Sequence, residues 1–187
     1  MENMQITQWC AQFIRHQVKE GDLCIDATMG NGHDTLLLST LCGDSGKVLA
    51  FDIQPEAFSH TKERLQNADA PNNYTLILDS HANMENYAAE ETVSCIVFNF
   101  GYLPGGDHQA ATKSCTSLPA IQQALKLLKK GGLLSLCIYR GGDSGFEECS
   151  DILALLKTLN PKQYLVIKSD YYNRPNHPPV PVLVVKL

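Results

Sequence analysis

The spacing of apolar and polar residues changes repeatedly along the chain. From Ile6 to Val18, Trp9, Phe13 and Ile14 fall on one side of a 3.6-residue repeat, which predicts an amphipathic helix within residues 5–19, packed on the rest. Short apolar runs then alternate with helical stretches. Strands are expected at Leu23–Asp26, Val48–Asp52, Tyr74–Leu78, Cys95–Phe98 and Leu133–Tyr139. Helices are expected at His33–Leu41, Pro55–Gln66, Leu118–Lys129 and Phe146–Leu159, with a short helical stretch near Met84–Ala89. Strand followed by helix in this way predicts an α/β fold, a parallel sheet with helices on both faces. The last runs, Tyr164–Ser169 and Val180–Leu187, are joined by Asp170-Tyr171-Tyr172-Asn173-Arg174-Pro175-Asn176-His177-Pro178-Pro179, too proline-rich for a helix. They are expected to form a C-terminal antiparallel hairpin, which completes a mostly parallel seven-stranded sheet.

The first strand leads into Asp26-Ala27-Thr28-Met29-Gly30-Asn31-Gly32-His33-Asp34-Thr35, a glycine turn that opens a helix. Gly30 and Gly32 can take backbone angles closed to other residues, and the free N–H groups of the next helix point into the same hollow. Dinucleotide-binding folds want a third glycine where this chain has Thr35, and a pyrophosphate would sit poorly beside Asp26. S-adenosylmethionine, which carries an ammonium and a sulfonium, suits these acids better, with Thr28, His33 and Asp34 completing the cradle. Asp52 follows Gly32 by twenty residues, the interval at which a carboxylate at the second strand tip meets ribose hydroxyls. Asp79, Ser80 and His81, after the third strand, are polar groups suited to an adenine. A nicotinamide-dependent oxidoreductase is the competing reading of the same turn.

The fourth strand ends Asn99-Phe100-Gly101-Tyr102-Leu103-Pro104-Gly105-Gly106-Asp107-His108. A side-chain carbonyl at Asn99 can accept from a substrate N–H, and enzymes that methylate exocyclic amines use an Asn-Pro-Pro-Tyr turn here for that purpose. An attacking amine must be neutral, so alignment is the main task, and Asp107 or His108 can take its proton. After the fifth strand, Tyr139 and Tyr102 can stack on a base and Arg140 can hold a phosphate. Glu147 and Glu148 are expected to open the next helix, and Lys126, Lys129 and Lys130 to form a solvated basic helix end.

Composition adds limits. A length of 187 residues, 44% of them hydrophobic, suits one domain spanning 1–187 with a full core. No apolar run approaches the ~18 residues of a membrane span, and the first residues lack a signal-peptide pattern, so a cytoplasmic location is expected. Seven scattered cysteines with no C-x-x-C pair suggest buried thiols, with no metal site. Residues 1–100 carry five basic and fourteen acidic side chains, a balance of −9; residues 101–187 carry ten and six, a balance of +4. An acidic half bearing the cofactor cradle and a basic half suit a polyanionic substrate.

These motifs together resemble the rRNA methylase family of S-adenosylmethionine-dependent enzymes. The likeness covers essentially the whole chain, and the run Gly101-Tyr102-Leu103-Pro104-Gly105-Gly106-Asp107 is specific to that family. The resemblance implies a Rossmann-like class I methyltransferase fold. It implies, from the family's tRNA-modifying members, N-methylation of the primary amine of 5-aminomethyl-(2-thio)uridine at the wobble position, with the tRNA anticodon stem-loop as partner and pairing as a homodimer. It also places Gly30, Asn31, Gly32, Asp52, Gln54, Ser80 and His81 around the cofactor, and Asn99, Tyr102, Gly105, Gly106, Asp107 and His108 around the methyl-transfer pocket. Where the family carries a His after the fifth strand's glycine, this chain has Gly142. Another RNA or a small-molecule amine is the alternative acceptor.

Overall fold

A computed structural model describes residues 5–101 and 112–187. The helices are α1 (Ile6–Gln17), α2 (His33–Cys42), α3 (Pro55–Asn67), α4 (Ser114–Leu127) and α5 (Gly142–Lys157), with a 3₁₀ turn at His81–Asn86. The strands are β1 (Leu23–Asp26), β2 (Lys47–Asp52), β3 (Tyr74–Leu78), β4 (Val93–Phe100), β5 (Leu128–Ile138), β6 (Tyr164–Lys168) and β7 (Val180–Lys186). They form one sheet in the order β3-β2-β1-β4-β5-β7-β6. Its first five strands are parallel, and β7 runs antiparallel to both β5 and β6. The C-terminal pair is therefore a hairpin whose second strand inserts beside β5.

The central strands read as unbroken apolar runs because both faces of the sheet are covered. Successive residues point to opposite sides, so Ile25, Ile96 and Phe98 face the core beneath α4 and α5, together with Ile121 and Ile152. Their neighbours Cys24, Cys95 and Val97 face the other way, against Ile14 of α1 and Leu38 and Cys42 of α2. The buried cysteines act as small hydrophobes, with burial pushing the Cys10 thiol up to about 11.

Local signals explain most element ends. Pro55 opens α3 at a position where its missing N–H is not needed, and α2 stops at Gly43 with φ 62°. Two expectations about charge are corrected. Lys129 and Lys130 lie in β5, because α4 ends at Leu127, and the Lys129 ammonium pairs with Asp22 at 2.8 Å. Glu148 does not cap a helix start: α5 begins at Gly142, and Glu148 sits in its second turn, 2% exposed. Its carboxylate accepts from the hydroxyls of Ser117 (2.5 Å) and Thr112 (2.9 Å), tying α5 to α4.

Candidate active site

Five parallel strands end on one edge, and the tips of β1, β2 and β4 are joined by hydrogen bonds that run through the glycine turn. Asp26, at the tip of β1, is fully buried. Its Oδ2 accepts from Thr35 Oγ1 at 2.6 Å and its Oδ1 from the Thr28 amide at 3.2 Å. Burial, with the Asp34 charge nearby, pushes the Asp26 carboxyl up to about 7. Thr35 stands where a dinucleotide fold has its third glycine, and it is needed there as the donor to Asp26.

Both turn glycines are left-handed, Gly30 at φ 51° and Gly32 at φ 75°. A Cβ on Gly32 would come within 2.8 Å of the Thr61 side chain, so this glycine also lets α3 pack close. The Gly30 amide donates to Asp52 Oδ2 at 3.0 Å, and the Gln54 amide to Asp52 Oδ1 at 3.0 Å. Each of those oxygens retains a lone pair for a further donor such as a sugar hydroxyl. Ile53 and Leu78, beside the polar tip residues of β2 and β3, are 58% and 54% exposed, an apolar surface at the same edge.

His81 gives a further constraint. Its Nδ1 lies 3.2 Å from the Ala27 carbonyl, which can only accept, so Nδ1 carries the hydrogen and Nε2 is an acceptor. That Nε2 is buried with no partner among the described residues, and burial lowers the imidazole's pKa, which keeps the ring neutral. The ring stands edge-on to Phe98, centroids 5.7 Å apart. Ser80 caps the 3₁₀ turn by accepting from the Ala82 amide, and Asp79 accepts from Asn83 Nδ2 and Tyr87 OH, which makes it a structural cap.

On the other side of β1, the Asn99 amide donates to Thr28 Oγ1 at 2.7 Å. The Asn99 carboxamide Nδ2 donates to Asp34 Oδ2 at 2.7 Å. Burial raises the Asp34 carboxyl while this bond opposes the rise. The Asp34 contact fixes which end of the carboxamide is nitrogen, so Asn99 offers its carbonyl Oδ1 as an acceptor. Asp34 was legible as a cradle residue; its place on Asn99, 65 residues away, has no local signal.

The model of the family described as "Putative rRNA methylase" matches residues 48–185. The chain belongs to the rRNA methylase family. A solved Clostridium thermocellum chain with the same description is 39% identical, covers all of both chains and superposes with a TM-score of 0.95. A Streptococcus mutans "putative methyltransferase", solved in complex with SAH, is 34% identical over all of both chains, TM-score 0.89. Among curated proteins, the chloroplastic tRNA (mnm(5)s(2)U34)-methyltransferase of Arabidopsis thaliana is 37% identical over 170 residues. That match takes in 86% of this chain, and the chain spans 62% of the relative's length. Membership of a methyltransferase family excludes the oxidoreductase reading, consistent with Thr35.

The strand tips and the turns that follow them hold Asp26, Thr28, Gly30, Asp34, Asp52, Gln54, Ser80, His81 and Asn99 along one edge. Asn31 points elsewhere: its carboxamide oxygen lies 3.2 Å from His60 Nδ1 of α3, and its backbone carbonyl accepts from Arg64 Nε at 2.5 Å. Together with His60 and Arg64 it lines a cavity of about 560 Å³ beside α3. His33 is exposed at the start of α2, its pKa lowered by partial burial and by Arg64. Tyr139 stands over Gly101, where a Cβ would lie 3.3 Å from the tyrosine Cβ. Arg140 donates from Nε (3.3 Å) and Nη2 (3.1 Å) to the Pro178 carbonyl, which occupies the group expected to hold a phosphate. Tyr102, Gly105, Gly106, Asp107 and His108 lie outside the described residues. Among the described residues no helix is long and apolar enough to cross a membrane.

Proposed function

We propose that this enzyme transfers the methyl group of S-adenosylmethionine to the primary amine of 5-aminomethyl-(2-thio)uridine at the wobble position of tRNA. The observation that carries this is the Asn99–Asp34 contact: a carboxamide locked at the β4 tip with its carbonyl available to a substrate N–H. The name of the Arabidopsis relative supports the same amine as acceptor. The cofactor fits the residues present. Asp52 offers lone pairs to ribose hydroxyls, His81 Nε2 is an acceptor without a partner among the described residues, and Asp26 and Asp34 favour an ammonium and a sulfonium nearby. Bound there, S-adenosylmethionine supplies an electrophilic methyl group. The protein must bind a neutral amine, exclude water and hold the nitrogen in line; Asn99 Oδ1 accepts one N–H and so turns the nitrogen lone pair toward the methyl carbon. With the methyl–sulfur bond broken as the C–N bond forms and a neutral thioether leaving, Asp107 or His108 would take the proton from the amine. The anticodon stem-loop is the bound element, the enzyme acts as a homodimer, and the reaction is cytoplasmic.

Asn99→Ala tests the role of the carboxamide. Calorimetry is expected to show a fall in cofactor affinity of about tenfold at most, from Asp34 losing its donor, while kcat falls roughly 10²-fold or more through lost alignment. Wild-type turnover in this variant would rule out the orienting role.

A further inference from the structure

The segment joining β6 to β7, residues 169–179, has no part in the site described above, yet it is held in one shape from several sides. The Ser169 amide donates to the Pro181 carbonyl and closes its base. Arg140 grips the Pro178 carbonyl and lies 3.8 Å from Asp170. His177 meets Phe146 of α5 edge to face at 5.2 Å, and Tyr171 packs on the cluster of Ile6, Cys10 and Cys137. Asn176 and His177 are both left-handed, φ 64° and 49°, a turn conformation that Asn takes readily and that here places His177 against Phe146. The Arg174 amide donates to the Tyr171 carbonyl, a turn that puts Tyr172 at its tip. Tyr172 is 97% exposed.

So much bracing holds out a tyrosine that packs on almost nothing. Beside it is a cavity of about 230 Å³, lined by Arg140, Arg174 and His177 as well as Tyr172. Asp170 is matched by Arg140, which leaves the exposed Arg174 as a positive charge next to the ring. The register puts this arm on the active edge: Asn99 is opposite Cys137 on β5, and Ile138, one residue on, is opposite Val180, where the arm rejoins the sheet.

We propose that this arm binds an unpaired nucleotide next to the one that is methylated, with its base stacked on Tyr172 and its phosphate on Arg174. A flat exposed ring beside a guanidinium suits single-stranded RNA, because every base has a π-face and stacking needs no fixed sequence. Arg140 is then a positioning residue that holds the arm. The proposal rests on RNA being the substrate.

The test measures binding of a fluorescent RNA stem-loop with an unpaired loop to wild type, Tyr172→Ala, Tyr172→Phe and Arg174→Ala across a salt series. Tyr172→Ala is expected to weaken binding roughly five- to hundredfold, with Tyr172→Phe close to wild type. Arg174→Ala is expected to lower the slope of log affinity against log salt by about 0.7, one single-strand phosphate contact. Cofactor affinity and Tm should be unchanged, since Tyr172 buries almost nothing. Wild-type RNA affinity in Tyr172→Ala and Arg174→Ala would overturn the arm alone. Absence of RNA binding by the wild type would overturn the RNA reading and the arm with it. A fall in oligomer mass with RNA affinity intact would assign the surface to a second copy of the chain and also overturn it.

Discussion

Asp26 is a buried carboxylate with no cation within ion-pair distance among the described residues; only Thr35 and Thr28 donate to it. Its carboxyl, pushed up to about 7, makes cofactor binding a proton-linked event. In the unfolded chain an Asp titrates near 3.9, so the contribution of Asp26 to stability is fully present below about pH 4 and is lost as pH rises through about 7. A bound ammonium and sulfonium favour the ionised form and pull the pKa back down. At pH 6.5, S-adenosylmethionine binding is therefore expected to release protons. Calorimetry in buffers of different ionisation enthalpy reads this directly, and Asp26→Asn should reduce the release. A binding enthalpy independent of buffer would contradict it. At this scale the sequence was readable where local spacing sets the backbone: the strand, glycine turn and helix after Leu23 lie where the pattern puts them, and Asp52 ends β2 as expected. Thr35 on Asp26 and Asp34 on Asn99 were not readable as contacts, because each joins residues whose proximity only the sheet creates.

At the scale of elements, the α4–α5 contact depends on Glu148. Burial raises its carboxyl above the usual range, and the Ser117 and Thr112 hydroxyls oppose that rise. Thr112 also accepts from the Gly101 amide at 2.9 Å and donates its own amide to the Gly101 carbonyl, so Glu148 steadies the place where β4 and the chain leading to α4 meet. Glu148→Ala would leave two hydroxyls without their acceptor and is expected to destabilise the fold by about 1–3 kcal/mol. Glu148→Gln removes the charge and keeps one carbonyl acceptor, with an Nε2 donor in place of the second oxygen. It should cost less than Glu148→Ala and flatten the fall in stability as pH rises above the ordinary glutamate range, because the raised carboxyl favours the protonated state. Thermal melts at several pH values check both, and an unchanged Tm in Glu148→Ala would refute the role.

Strand positions were legible to within a few residues because apolar runs survive in a sheet covered on both faces. The start of β5 was not. Lys129-Lys130-Gly131-Gly132 reads as a break, yet the register passes from Val93 opposite Leu128 to Cys95 opposite Leu133, so these residues bulge out within a continuing strand. Gly131 is left-handed there at φ 76°, and a Cβ on Gly132 would strike the Lys129 carbonyl at 2.8 Å. Glycines that looked like a terminator are a bulge, a distinction made by the partner strand β4.

Across the whole molecule, one sheet edge carries both halves of the chemistry. Asp26, Asp34 and Asp52, from the acidic N-terminal half, lie along it, and Arg140 of the basic C-terminal half holds the arm that carries Arg174 beside it. The strand order makes this division: β1 lies centrally between β2 and β4, so the glycine turn meets Asp52 on one side and Asn99 on the other. The most direct measurement is methyl transfer from labelled S-adenosylmethionine to bulk tRNA from cells lacking this protein, followed by nucleoside mass spectrometry. Label is expected in 5-methylaminomethyl-(2-thio)uridine, with loss of the 5-aminomethyl precursor. Label confined to another nucleoside, or none in tRNA while the cofactor binds, would contradict it.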